Sequence, residues 1–248
     1  SFQAAQGGVP DVEEAARKIT ARTRAIVLVS PNNPTGAIYP PETIRQFFDL
    51  AQAHGIALVL DETYKDFLPT DDAPHGLLRE PGWPETLIQL FSFSKVYAIT
   101  GHRVGGLVAG PEISVEIAKA MDCAAICAPA IGQAAALFGL QNLDRWKQEK
   151  RRLSLARLDA LRQAMARNDL AYEVVSAGAF FAYMRHPHDG KNAGQVARRL
   201  ADEQNMLCLP GAFFGSGQEN YLRFSFANVE ADRMEEIAAR LVASQGTF

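Results

Sequence analysis

The chain has 248 residues, with 25 basic and 28 acidic side chains, for a formal net charge of -3. That balance gives no electrostatic basis for recognising nucleic acid or an anionic membrane. Hydrophobic residues make up 48% and charged residues 21%, which excludes disordered, collagen-like and coiled-coil classes and suits a globular chain of one or two domains. No run approaches the ~20 apolar residues of a membrane span, and the opening SFQAAQGGVP has no secretory pattern, so the cytoplasm is the expected compartment.

In chain order, Val12 to Ile19 reads as a short helix, and Ala25 to Ser30 as a β-branched run of the kind buried on both faces of a parallel sheet. Pro41 opens a helix with Ile44, Phe47, Phe48 and Ala51 at helical spacing, and His54-Gly55 closes it before a second strand, Ile56 to Leu60. This is a βαβ unit. Strands are next expected at Thr86 to Phe91 and Gly105 to Ala109. After Pro111 the pattern turns helical, and Leu143 to Arg167 predicts a long amphipathic connector. Beyond it come strands at 172–176 and 180–184, a helix at 193–203, strands at 206–209 and 221–225, and a last helix at 232–244.

Cys123, Cys127 and Cys208 cannot all pair, which argues for reduced thiols. The i, i+4 pair Cys123 and Cys127 lacks a matching His or Cys pair, so small buried residues are expected there and no metal site. His186-Pro-His188, among Pro, Asp, Gly and Lys, reads as a solvent loop.

Chemistry concentrates at the strand ends. Ligands of open α/β sheets bind at the carboxyl ends of parallel strands. Here those ends read Ser30-Pro-Asn-Asn-Pro-Thr-Gly36, Asp61-Glu-Thr-Tyr64 and Ser92-Phe-Ser-Lys95. Singly, each has a plain alternative: PNNPTG is turn chemistry, Asp61 a helix cap, Lys95 a solvated side chain.

Together, SPNNPTG at 30–36, DETY at 61–64, SFSK at 92–95, the arginine of GHRVGG at 101–106 and RFSF at 223–226 resemble the fold-type I pyridoxal-phosphate enzymes, specifically the class I/II aminotransferases. The resemblance implies an α/β fold, with the C-terminal part of a large, mainly parallel-sheet domain (1–155) and a small α+β domain (156–248). It implies the cofactor pyridoxal 5'-phosphate and transamination between an L-amino acid and a 2-oxo acid. Lys95 is then the Schiff-base lysine and proton carrier. Asp61 pairs with the ring nitrogen, and Asn33 and Tyr64 donate to the ring's 3' oxygen. Ser92 and Arg103, three residues before and eight after Lys95, hold the phosphate, with Ser94 a weaker candidate. Arg223 grips the substrate α-carboxylate, a bidentate contact in which Asn33 shares. The Asn33-Pro34 bond is expected to be cis.

Phe180, Phe181, Phe213 and Phe214 read first as ordinary core packing, with apolar surroundings for Arg223 as the alternative. The resemblance also implies a homodimer, and a front part of the family pattern that this chain does not contain. A polypeptide of these residues alone is therefore expected to be poorly soluble or to bind the cofactor unproductively. Two other functions remain open: a pyridoxal-phosphate-dependent carbon-sulfur β-lyase, which the same residues would serve, and the aminotransferase-like effector domain of a transcription regulator.

Overall fold

A computed structural model describes residues 7–246. It divides into two compact units that interleave in sequence: one comprises 10–31 and 39–151, the other the segment ending at Val9, 32–38 and 152–246.

The first unit begins with α1 (Val12–Lys18), whose N-cap Asp11 accepts from the backbone of Glu13 and Glu14. Then follow β1 (Ala25–Val29), α2 (Pro41–Ala53) and β2 (Ala57–Asp61). Pro41 sits at the first helical position, where its missing N–H costs nothing. The spacing of Ile44, Phe47, Phe48 and Ala51 puts them on one face, and all four are buried. Burying each of the larger three stabilises the unit by about 1.5–3 kcal/mol.

After two short 3-10 turns, Lys65–Phe67 and Leu77–Arg79, come α3 (Trp83–Thr86), β3 (Leu87–Ser92) and α4 (Phe93–Val96). A third turn, Thr100–His102, leads to β4 (Gly105–Ala109), α5 (Pro111–Ala124), α6 (Ala130–Asn142) and α7 (Asp144–Met165). The sheet order is β1-β2-β3-β4, with the first three parallel and β4 antiparallel to β3. Trp146, on α7, donates from Nε1 to the Val96 carbonyl at 3.1 Å, tying that helix to the turn after β3.

Two expectations are corrected in this unit. The run 25–30 is not buried on both faces, for Val27 is 65% exposed. An uninterrupted apolar run reports that a strand is hydrophobic, but its neighbours decide which face is covered. Cys123 and Cys127 are both exposed, and only Cys208 is buried.

The second unit takes the rest of α7, then β5 (Glu173–Gly178), β6 (Phe181–Arg185), α8 (Ala193–Gln204), β7 (Leu209–Pro210), β8 (Tyr221–Ser225) and α9 (Met234–Ala243). Its strands form an antiparallel sheet in the order β5-β6-β8-β7. Leu158 and Leu161 of α7, Val196 and Leu200 of α8, and Leu241 of α9 join Leu222 of β8 in one core. A reciprocal capping box between Asn192 and Gln195 starts α8, and Asn205 in the left-handed region ends it. His186 is buried rather than in a solvent loop: it directly follows β6, and its N–H donates to the Asn220 carbonyl at 3.1 Å.

Candidate active site

In the first unit the candidate residues gather where β2 and β3 end. Asp61 is the last residue of β2, and its carbonyl accepts from Ser30 N at 3.0 Å, joining it to the end of β1. Asp61 Oδ1 accepts from the N–H of Thr63 at 2.9 Å and from its hydroxyl at 2.7 Å. That Asx turn orients the carboxylate and leaves Oδ2 for a further donor. The helix-cap alternative for Asp61 is thus half met, by a turn rather than a helix. The turn carries the chain through Glu62 to Tyr64, whose side chain is buried.

Asp61 is in register with Leu90, and Ser92 lies two residues further along β3, so both point to one face of the sheet. Ser92 caps α4, accepting from Ser94 N at 3.3 Å. This cap turns the chain sharply and places Lys95, half-buried, as the third residue of α4. Ser94 is buried within that turn.

Arg103 reaches the same end by pairing. Gly105 is the register partner of Ser92, which puts Arg103 just beyond the end of β3. The pairing needs glycine there, since a Cβ on Gly105 would stand 2.6 Å from the Phe91 carbonyl oxygen. Arg103 itself has φ 50, is exposed, and donates from Nη1 to the Thr100 carbonyl at 2.8 Å. Asp61, Tyr64, Ser92, Ser94, Lys95 and Arg103 therefore all belong to this one unit.

Asn33 and Arg223 belong to the second unit, where the two meet directly. Arg223 Nη1 donates to Asn33 Oδ1 at 2.9 Å. The loop that presents Asn33 is held by Asn32, whose Oδ1 accepts from the N–H and hydroxyl of Thr35 at 3.1 and 2.9 Å. The Asn33-Pro34 bond is cis, as expected, and Ser30-Pro31 is cis as well. Gly36 has φ 72, and a Cβ there would lie 2.3 Å from the Phe181 carbonyl oxygen. Close passage of this loop over β6 requires glycine.

Arg223 sits mid-strand in β8, its guanidinium carbon 4.7 Å from the ring centre of Phe181 and 5.0 Å from that of Phe214. Such contacts hold a planar cation by its faces and leave its N–H edge directed outward. Of the four phenylalanines read from the sequence, Phe181 and Phe214 supply these rings, Phe180 packs edge-on against Phe181, and Phe213 is 73% exposed. Sequence reasoning passed over the side chain of Glu62 and missed Gln89 and His75, a buried polar group beside Asp61. Glu62 was visible only as a letter within DETY.

The family model described as aminotransferase class I and II matches residues 2–241. The aromatic-amino-acid aminotransferase 2 of Thermococcus litoralis is 28% identical over 235 residues, covering 91% of this chain and 60% of its own length. The aspartate aminotransferase of Pyrococcus abyssi is 29% identical over 236 residues, covering 92% and 60%. Among solved structures, the Thermus thermophilus aspartate aminotransferase with maleate superposes with a TM-score of 0.85 at 29% identity, covering 98% of this chain and 62% of that one. The chain thus spans about three fifths of the length of these relatives. Its fold is that of the fold-type I aminotransferases, and the chain belongs to the class I and II aminotransferase family.

Proposed function

We propose that this chain carries the lysine side of a pyridoxal-phosphate site and takes part in transamination between an L-amino acid and a 2-oxo acid. The single observation that carries the reading is the assembly at the ends of β2 and β3 of a carboxylate, a lysine, a phenol, hydroxyls and a guanidinium. That donor set fits pyridoxal phosphate in its chemistry: the Asp61 carboxylate suits a cationic ring nitrogen, the Tyr64 phenol the ring's 3' oxygen, and Ser92, Ser94 and Arg103 the phosphate. The cofactor, when bound, supplies an aldehyde that condenses with amines and a ring that takes up the electron pair left at Cα.

Lys95 is the amine that holds the cofactor and, once released, the base that moves a proton at the substrate Cα. Asp61 keeps a positive charge favourable at the atom it faces. Tyr64 would donate to the ring's 3' oxygen and favour its ionised form. Arg223, its faces held by Phe181 and Phe214, binds the α-carboxylate through its guanidinium fork, with Asn33 fixing its orientation. Transamination is preferred to β-elimination because the relatives are named aminotransferases. We further assign the protein to the cytoplasm as a homodimer; the uncharged helix α6, with Leu137 and Phe138 exposed, supports an apolar self-contact.

In a version that spans the full length of the relatives, added pyridoxal phosphate is expected to give an absorbance band distinct from that of the free cofactor and abolished in Lys95→Ala. With a 2-oxo acid acceptor, the products are expected to be a new amino acid and a new oxo acid. A wild-type protein with no such band would overturn the reading, and release of ammonia in place of amino acid product would replace transamination with elimination.

A further inference from the structure

The strand end that carries Asp61 is backed by a buried polar cluster with no role in the chemistry above. Glu62 points to the sheet face opposite Asp61, and its side chain is 1% exposed. One oxygen, Oε2, accepts from the side-chain amide of Gln89, which is buried on β3. The other, Oε1, faces His75 Nε2 at 3.3 Å, and the imidazole is itself only 4% exposed. His75 Nδ1 accepts from Leu77 N at 3.2 Å. Since Nδ1 is an acceptor, the ring proton sits on Nε2 and points into the cluster. Lys65, its Nζ 4.4 Å from the ring centre of Phe91, and Arg79 are the other charged side chains lining the cavity onto which the three open.

A carboxylate taken out of water is costly unless its lone pairs are met, and an apolar side chain would fill this space at lower cost. What Glu62 holds together is therefore informative. Its N–H donates to the Leu90 carbonyl at 3.0 Å, and its carbonyl accepts from Lys65 N at 3.0 Å, closing the turn that presents Tyr64. Gln89 lies three residues before Ser92 on the same strand, and His75 comes from the loop between the two 3-10 turns.

We propose that Glu62, Gln89 and His75 are positioning residues, which clamp the ends of β2 and β3 from behind and so hold Asp61 and Tyr64 in place against the cofactor ring. This rests on the pyridoxal-phosphate reading. Neither Glu62 nor His75 touches cofactor or substrate; they act through the backbone of the residues that do.

The experiment compares wild type, Glu62→Gln, His75→Leu and His75→Gln in the cofactor-loaded protein. It measures kcat and KM, the melting temperature, and the pH midpoint at which the bound cofactor's absorbance changes. Glu62→Gln and His75→Leu are expected to move that midpoint by about one pH unit and to lower kcat about tenfold, with KM changed less than about threefold. His75→Gln keeps an N–H where Nε2 stood and is expected to restore most of both. An unmoved midpoint in Glu62→Gln and His75→Leu overturns the proposal, whether kcat is unchanged or falls only in step with melting temperature. A wild-type band that survives Lys95→Ala, or is missing altogether, defeats the cofactor reading itself and this proposal with it. A normal wild-type band with unresponsive variants defeats only the positioning role.

Discussion

Arg223 is held by two kinds of contact, and each limits a different freedom. The Asn33 side-chain oxygen Oδ1 fixes one end of the guanidinium at 2.9 Å, while the rings of Phe181 and Phe214 restrict its faces. A lysine would keep the charge but lose the fork and the flat stacking surface. Arg223→Lys is therefore expected to cost about 2 kcal/mol of carboxylate binding, or roughly thirtyfold in kcat/KM, carried mainly by KM. Steady-state kinetics on amino acid and oxo acid would check this; a drop confined to kcat would remove Arg223 from substrate binding. The arginine itself was legible in RFSF. Its aromatic support was legible only as a crowd of four phenylalanines, because which ring reaches β8 depends on the 3-10 turn Gly211–Phe214 and on strand register.

At the scale of elements, local chemistry predicted most of the fold well. Pro41 starts α2 and the apolar spacing of α2 names its buried face, since both signals act within a few residues. Burial that depends on distant neighbours was less legible, and His186 is the clearest case. Its ring is buried with β6 and β8, and among the described residues neither ring nitrogen has a hydrogen-bond partner. Burial is the main cause holding its pKa below the ordinary histidine value, with Arg185 adding to it and Asp189 and a backbone contact opposing. The sign then follows. Between that lowered value and about 6.5, the unfolded chain binds more protons than the folded one. Stability contributed by neutral His186 is complete above about pH 6.5 and is lost as pH falls through the folded value. Urea midpoints measured from pH 7.5 to 5 are expected to fall more steeply for wild type than for His186→Gln. Parallel curves would mean that other groups set the acid sensitivity, His188 among them, whose pKa burial also lowers.

For the molecule as a whole, the motifs spoke to chemistry and the surface speaks to association. Among 13 residues α6 has no charged side chain, yet Ile131, Leu137, Phe138 and Leu140 are all more than half exposed. Val115 of α5 and Ile126, in the stretch between α5 and α6, are exposed as well. A helix apolar on all sides is a helix meant to be covered. Covering a phenylalanine or leucine is worth about 1.5–3 kcal/mol, so two or three such side chains meeting their counterparts across a symmetric contact are enough to drive dimerisation at micromolar concentrations. Sedimentation equilibrium is expected to give a dimer for wild type and to shift toward monomer in Phe138→Glu, with association weakened at least about tenfold. Substituting an exposed position leaves the fold intact, which an unchanged far-ultraviolet circular dichroism spectrum would check. Wild type that stays monomeric at about 100 μM would overturn the homodimer, and a Phe138→Glu dimer as tight as wild type would move the self-contact away from α6.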